Sequence, residues 1–197
     1  MINSIITGKV QAEDIVIKNQ ELALRLKTEI GFEDETIKEC KSELLKVADC
    51  KYAAIKVPVK LLENGVVDLG FCKVESYDLS KNLSGCSSAF IFAVTLGIGV
   101  DRLFAKLNVT SKSKCFITDG IASALAESFC DFVDDTLKKD LKTKPRFSVG
   151  YGDLKIENQV QVLKALSADK TLGITLNSSY FMTPVKSITA IMGVIEN

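Results

Sequence analysis

The chain contains no histidine and no tryptophan, and only three prolines. Without histidine there is no imidazole to act as a general base near neutral pH, and no Ser-His or Cys-His nucleophile pair can be assembled. Any chemistry must rest on carboxylates, on a bound cofactor or on positioning. Paired cysteines are also missing. The six present (Cys40, Cys50, Cys72, Cys86, Cys115 and Cys130) include no Cys-x-x-Cys pair, which with the missing histidine speaks against a zinc site. The amino-terminal residues Met-Ile-Asn-Ser-Ile-Ile-Thr-Gly-Lys-Val-Gln-Ala-Glu-Asp are too polar for a secretory signal, so the expectation is free thiols in a reducing cytoplasm.

An excess of one charge is absent as well. Lys and Arg number 25 and so do Asp and Glu, so bulk electrostatics favour neither nucleic acid nor an anionic membrane. The basic cluster over 138–144 is interrupted by Asp140 and reads as a solvated helix end. The most apolar run, over 89–100, falls well short of the roughly 20 residues a membrane-spanning helix needs and reads as core. The chain, at 197 residues, 47% hydrophobic and 25% charged, has the balance of a soluble globular protein of about one domain.

Residues 1–50 read as a helical N-terminal region, with one helix over 19–30 capped by Asn19 and stopped at Gly31, and a second over 34–47. Residues 51–197 read as an α+β domain joined to it in one compact unit. Extended patterns over 52–62 and 66–74 flank Asn64-Gly65, a strong type I′ hairpin signal, with Pro58 expected at an edge or a bulge. A short helix capped by Asp78, a buried strand over 89–96 and a helix over 101–107 follow. Next comes a long amphipathic helix over 113–141, with Ile117, Ile121, Ala124, Leu125, Phe129, Phe132, Val133 and Leu137 as its core stripe and Pro145 barring its continuation. The remainder reads as a loop over 146–153, a helix over 156–166 and extended segments over 172–176 and 187–195. Helices mixed with a hairpin make the fold class α+β.

Few segments carry a chemical signal. Gly97-x-Gly99 lacks the third glycine of a dinucleotide loop, since Arg102 occupies that position, so a tight strand-to-helix turn is the better reading. Asp131, Asp134 and Asp135 are candidates for a hard-metal site, but carboxylates interleaved with Phe132 and Val133 more often mark a solvated face. The segment Arg-Phe-Ser-Val-Gly-Tyr-Gly-Asp over 146–153 is the richest. It joins a guanidinium suited to gripping a carboxylate with glycines that let a ligand approach the backbone. It reads equally as a structured connection in which Arg146 pairs with a neighbouring helix. Glu127 shares a helical stripe with Gly120, Ser123 and Cys130, small side chains that admit another backbone closely. It can meet a cationic ligand group, although pairing with Arg146 is the plainer reading.

At this loop the sequence resembles the activation domain of cobalamin-dependent methionine synthase, particularly its short stand-alone forms. The family pattern of an arginine, three residues and Gly-Tyr stands here as Arg146-Phe-Ser-Val-Gly150-Tyr151. Asp119-Gly-Ile-Ala-Ser-Ala-Leu-Ala-Glu127-Ser-Phe, Leu172-Gly-Ile-Thr-Leu176 and the run from Met182 to Gly193 resemble further blocks in the same order. The likeness spans about 76–193, and it departs from the full-length enzymes where Gly152-Asp153 replaces Pro-Ala-Cys-Pro. The resemblance implies a twisted antiparallel sheet with flanking helices and an S-adenosylmethionine site formed by Glu127, Arg146, Ser148, Gly150 and Tyr151. It further implies a partner synthase that carries cobalamin and lacks its own activation domain, with flavodoxin or a similar electron donor. The chain would then act in trans in reductive methylation of cob(II)alamin, with no independent catalysis. The rivals are a docking module for a corrinoid protein that binds no nucleoside, and a free-standing methyltransferase, for which the sequence offers no base.

Overall fold

A computed structural model describes residues 4–26 and 34–195. The chain begins with β1 (Ile6–Val10), α1 (Asn19–Leu26) and α2 (Glu35–Val47), then β2 (Cys50–Pro58), β3 (Lys60–Leu61), β4 (Val66–Asp68) and β5 (Lys73–Glu75). The middle is α3 (Tyr77–Asn82), β6 (Ser88–Thr95), α4 (Ile98–Thr110) and α5 (Lys112–Lys138). It closes with β7 (Lys142–Thr143), α6 (Gln159–Ala165), α7 (Ala168–Thr171), β8 (Thr175–Leu176), β9 (Met182–Thr183) and β10 (Ser187–Ile195). Five strands form an antiparallel sheet in the order β1-β2-β6-β10-β7, flanked by helices as expected.

The sheet is covered on both faces, which is why β6 is apolar without alternation and buried at all eight positions. Phe90, Phe92 and Val94 point towards α1, α2, α4 and α5, where they join Leu44, Ile121, Leu125 and Phe129. Ala89, Ile91 and Ala93 point the other way, into a second core with Leu79, Leu83, Leu163 and Leu166. Period-two alternation thus feeds two cores from one strand. Among the described residues no helix is long and apolar enough to cross a membrane.

Several boundaries differ from expectation. The N-terminal region is not wholly helical, because β1 pairs with β2 through Gly8 opposite Tyr52, whose ring occupies the space a Cβ would need. The proposed Gly31 stop lies outside the described residues. Pro58 sits at the end of an interior strand without a bulge, but β1 reaches only to Ala54, so the outer edge is open there. The Asn64-Gly65 hairpin forms, with φ of 58° and 71°, yet its strands β3 and β4 join β5 in a separate small sheet. Ser76, not Asp78, caps α3 by accepting from the Leu79 N–H. Phe132 is 41% exposed and stacks on Phe129 instead of entering the core. The long helix stops at Lys138, well before Pro145, where Lys139 turns to φ 44°. The residues after it, over 139–142, are exposed as a solvated helix end would be, and Lys142 and Thr143 pair with the end of β10.

Gly97 and Gly99 make the tight strand-to-helix turn. Gly97 caps α4 at φ 78°, and a Cβ on Gly99 would lie 2.3 Å from the Val47 carbonyl oxygen. The small-residue stripe of α5 also does what its composition allows. A Cβ on Gly120 would meet Leu26 at 2.7 Å, so α1 crosses α5 there.

Candidate functional site

β10 carries a partner on one side along its whole length but on the other side only near its end. Phe147 exchanges backbone hydrogen bonds with Ile191, at 2.9 and 2.8 Å, and the Lys144 N–H donates to the Gly193 carbonyl at 2.8 Å. In an antiparallel strand these groups alternate sides. The backbone groups of Thr189 therefore share the side of Ile191, beyond the reach of β7. Beside this open edge lies a cavity of about 490 Å³.

Several segments close it. The α5 wall gives Glu127 and Cys130, and the segment after β7 gives Arg146, Phe147, Ser148, Val149 and Tyr151. Ile156, Gln159 of α6, and Tyr180, Phe181, Met182, Ser187, Ile188 and Thr189 complete the lining. Four of the five site residues expected from sequence, Glu127, Arg146, Ser148 and Tyr151, thus meet around one cavity. Gly150 is not among its lining residues. It makes the turn that carries its neighbours, at φ 87° with its N–H donating to the Leu154 carbonyl at 2.9 Å.

The aim of Arg146 follows from strand alternation. Phe147 packs into the second core, so its neighbour Arg146 turns to the other side and meets α5. Glu127, Asp131 and Asp134 lie three and four residues apart on that helix and present one acidic face. Arg146 Nη1 donates to Asp131 Oδ1 at 2.7 Å and stands 3.7 Å from Asp134 Oδ2, while Nη2 stands 3.7 Å from Glu127 Oε2. The pairing of Arg146 with a helix, one of its two readings, is therefore present. Asp131 and Asp134 are ion-paired rather than freely solvated, and Asp135 turns outward to Lys138. Among the described residues no group of three or more His, Cys, Asp or Glu side chains is arranged to hold a metal.

Charge and burial tune this wall. Burial works against ionisation of Asp131, but hydrogen bonds from Lys18 and Arg146 outweigh it and hold the carboxyl below its usual range. Burial pushes the Cys130 thiol up to about 12, so it is a neutral, inert part of the lining. Opposite, Gln159 is buried and accepts from the Thr189 hydroxyl at 3.0 Å. Its amide nitrogen donates to the Met182 sulfur at 3.1 Å, a weak acceptor.

The turn over 146–154 is anchored from outside. Asp153 accepts from the Ser76 hydroxyl and from the Tyr77 N–H at 2.7 Å, and the Ser76 hydrogen bond leads in holding its carboxyl below the usual range. Val149 and Leu154 are buried in the second core at either end of the turn, which leaves Tyr151 projecting at 70% exposure. Phe181, 67% exposed on the hairpin of β8 and β9, projects at the same cavity. Sequence reasoning did not single out Phe181, Gln159 or Thr189. The only signal was the adjacent Tyr180-Phe181 pair, two large rings in a polar stretch.

No family model and no curated protein matches the sequence. Among solved structures, the fold matches a crystal structure of the MetH reactivation domain bound to AdoHcy, with a TM-score of 0.69 over 96% of this chain and 78% of that one. Identity between the two is 13%, so the likeness establishes a shared fold.

Proposed function

We propose that this chain binds S-adenosylmethionine in the cavity beside the open edge of β10. In this reading it acts in trans in the reductive methylation that reactivates cob(II)alamin on a methionine synthase lacking an activation domain. One observation carries the reading. In a chain that shares its fold with a reactivation domain, the separate motif residues Glu127, Arg146, Ser148 and Tyr151 line a single cavity. At about 490 Å³ the cavity falls within the few hundred to a thousand Å³ typical of small-ligand sites.

The residues suit the ligand. Its carboxylate matches Arg146, whose Nη2 side is held only loosely by Glu127. Its ammonium and sulfonium groups match the Glu127 carboxylate, and the exposed rings of Tyr151 and Phe181 offer faces to an adenine. S-adenosylmethionine supplies an electrophilic methyl group. The chain's own residues bind it, orient it and surround it with walls that include the unreactive Cys130. The absence of histidine fits this role, because the acceptor would be the cobalt on the partner and no protein base is required. A flavodoxin or comparable donor would supply the electron.

A second reading keeps Arg146 as a purely structural ion pair, which its 2.7 Å hydrogen bond to Asp131 favours. The chain would then be a docking module for a corrinoid protein that binds no nucleoside. Mixing the protein with an inactive, activation-domain-free synthase, a reductant and methyl-labelled S-adenosylmethionine separates the two. Label on cobalamin and restored turnover support the first. Reactivation that does not depend on S-adenosylmethionine supports the second, and label on a small molecule without the corrinoid protein overturns both.

A further inference from the structure

Two carboxylates of α5 are each divided between Arg146 and a cation of the N-terminal segment. Glu127 stands 3.7 Å from Arg146 Nη2 through Oε2 and 3.7 Å from Arg25 Nη2 through Oε1. Asp131 binds Arg146 Nη1 at 2.7 Å through Oδ1 and Lys18 Nζ at 2.5 Å through Oδ2. Arg25 is oriented by Glu21, one turn earlier on α1, at 2.8 Å. The segment is fixed against α5 by buried Leu22 and Leu26 and by the close crossing at Gly120. The Lys18–Asp131 and Arg25–Glu127 pairs each span more than a hundred residues of chain and meet at carboxylates shared with Arg146, which lines the cavity.

The arrangement decides the electrostatic character of Arg146. Facing Glu127, Asp131 and Asp134 alone, one guanidinium would be outweighed, and a ligand carboxylate approaching it would meet three others. With Lys18 sharing Asp131, Arg25 sharing Glu127 and Lys138 holding Asp134 at 3.1 Å, Arg146 retains attraction for an incoming anion. We infer that the N-terminal segment belongs to the binding site, with Lys18 and Arg25 as positioning residues that make it selective for a ligand bearing a free carboxylate. This rests on the proposed S-adenosylmethionine site and deepens it, assigning carboxylate selection to residues outside the 146–151 motif.

The test compares S-adenosylmethionine with its decarboxylated analogue, titrated into the full chain and into the Lys18→Met/Arg25→Met variant. Removing two charges several ångströms away through partly solvated protein weakens carboxylate binding by roughly tenfold. The expected result is a Kd for S-adenosylmethionine about tenfold higher in the variant, with the analogue changed less than about twofold. The difference should shrink in about 1 M salt, where the Debye length is about 3 Å. The charge-preserving variant Lys18→Arg/Arg25→Lys is expected to retain discrimination, which guards against a folding defect. Equal losses for both ligands, or no loss for either, would overturn the inference. Wild-type protein that binds neither ligand overturns the proposed function itself.

Discussion

Arg146 and Asp131 are joined at 2.7 Å through Nη1 and Oδ1, while the other nitrogen of the same guanidinium stops 3.7 Å short of Glu127. One half of the fork is anchored to α5, and the other stands at the cavity. A side chain held in this way loses little freedom when it takes up a carboxylate.

Replacing Arg146 with alanine is expected to weaken S-adenosylmethionine binding by about 1.5–3 kcal/mol, the scale of a hydrogen bond to a charged group. Asp131 keeps Lys18 as a partner, so the fold should survive. Arg146→Lys should lie between the two, because it restores charge without the planar fork. Titration calorimetry together with melting curves checks this. An Arg146→Ala variant that is unfolded would show that the residue serves the helices rather than a ligand.

The depressed carboxyl of Asp131 has a signed consequence for acid stability. Its folded pKa lies below the ordinary value of about 3.9, so the unfolded chain takes up protons first as pH falls. The stabilisation is complete above that value and is lost as pH drops through the lower, folded one. Asp131→Asn should therefore show a shallower fall of urea midpoint than wild type below about pH 4. Parallel curves would contradict the ion-pair account.

The α4 turn makes a sharper structural prediction. An added methyl at Gly99 meets backbone, the Val47 carbonyl at 2.3 Å, which cannot rotate away. Gly99→Ala should destabilise by about 1–3 kcal/mol, whereas Val109→Ala, at an 87% exposed position, should stay within about 0.5 kcal/mol. Chemical denaturation of both variants measures the difference.

Burial pushes the thiols of Cys50 and Cys130 up to about 12. Neither should react with iodoacetamide near pH 8 in the native protein, and both should react once it is unfolded. Rapid native labelling of Cys130, read by peptide mass, would show that the cavity wall opens.

Residues with strong local signatures were legible in advance. The long apolar runs of β6 and β10, the Asn64-Gly65 turn and the Gly97-x-Gly99 turn are encoded by neighbours in sequence and appear where expected. β1 was not legible, because Ile-Thr-Gly-Lys-Val is short and its glycine makes sense only beneath the ring of Tyr52. α7, β7 and the true end of α5 depend on packing rather than pattern. The same division runs through the site. The turn over 146–153 announced itself through its glycines, whereas Lys18 and Arg25 act on carboxylates far along the chain and carry no local mark. Phe181 was missed because an exposed ring looks unremarkable until a cavity is found beside it.

The most direct measurement is titration of S-adenosylmethionine into the purified chain, followed by calorimetry and by melting temperature. Saturable binding with one site per chain is expected, with a melting temperature that climbs with ligand concentration and both effects weakened in Arg146→Ala. No heat and no shift at about 1 mM ligand, with the corrinoid partner absent or present, would contradict it.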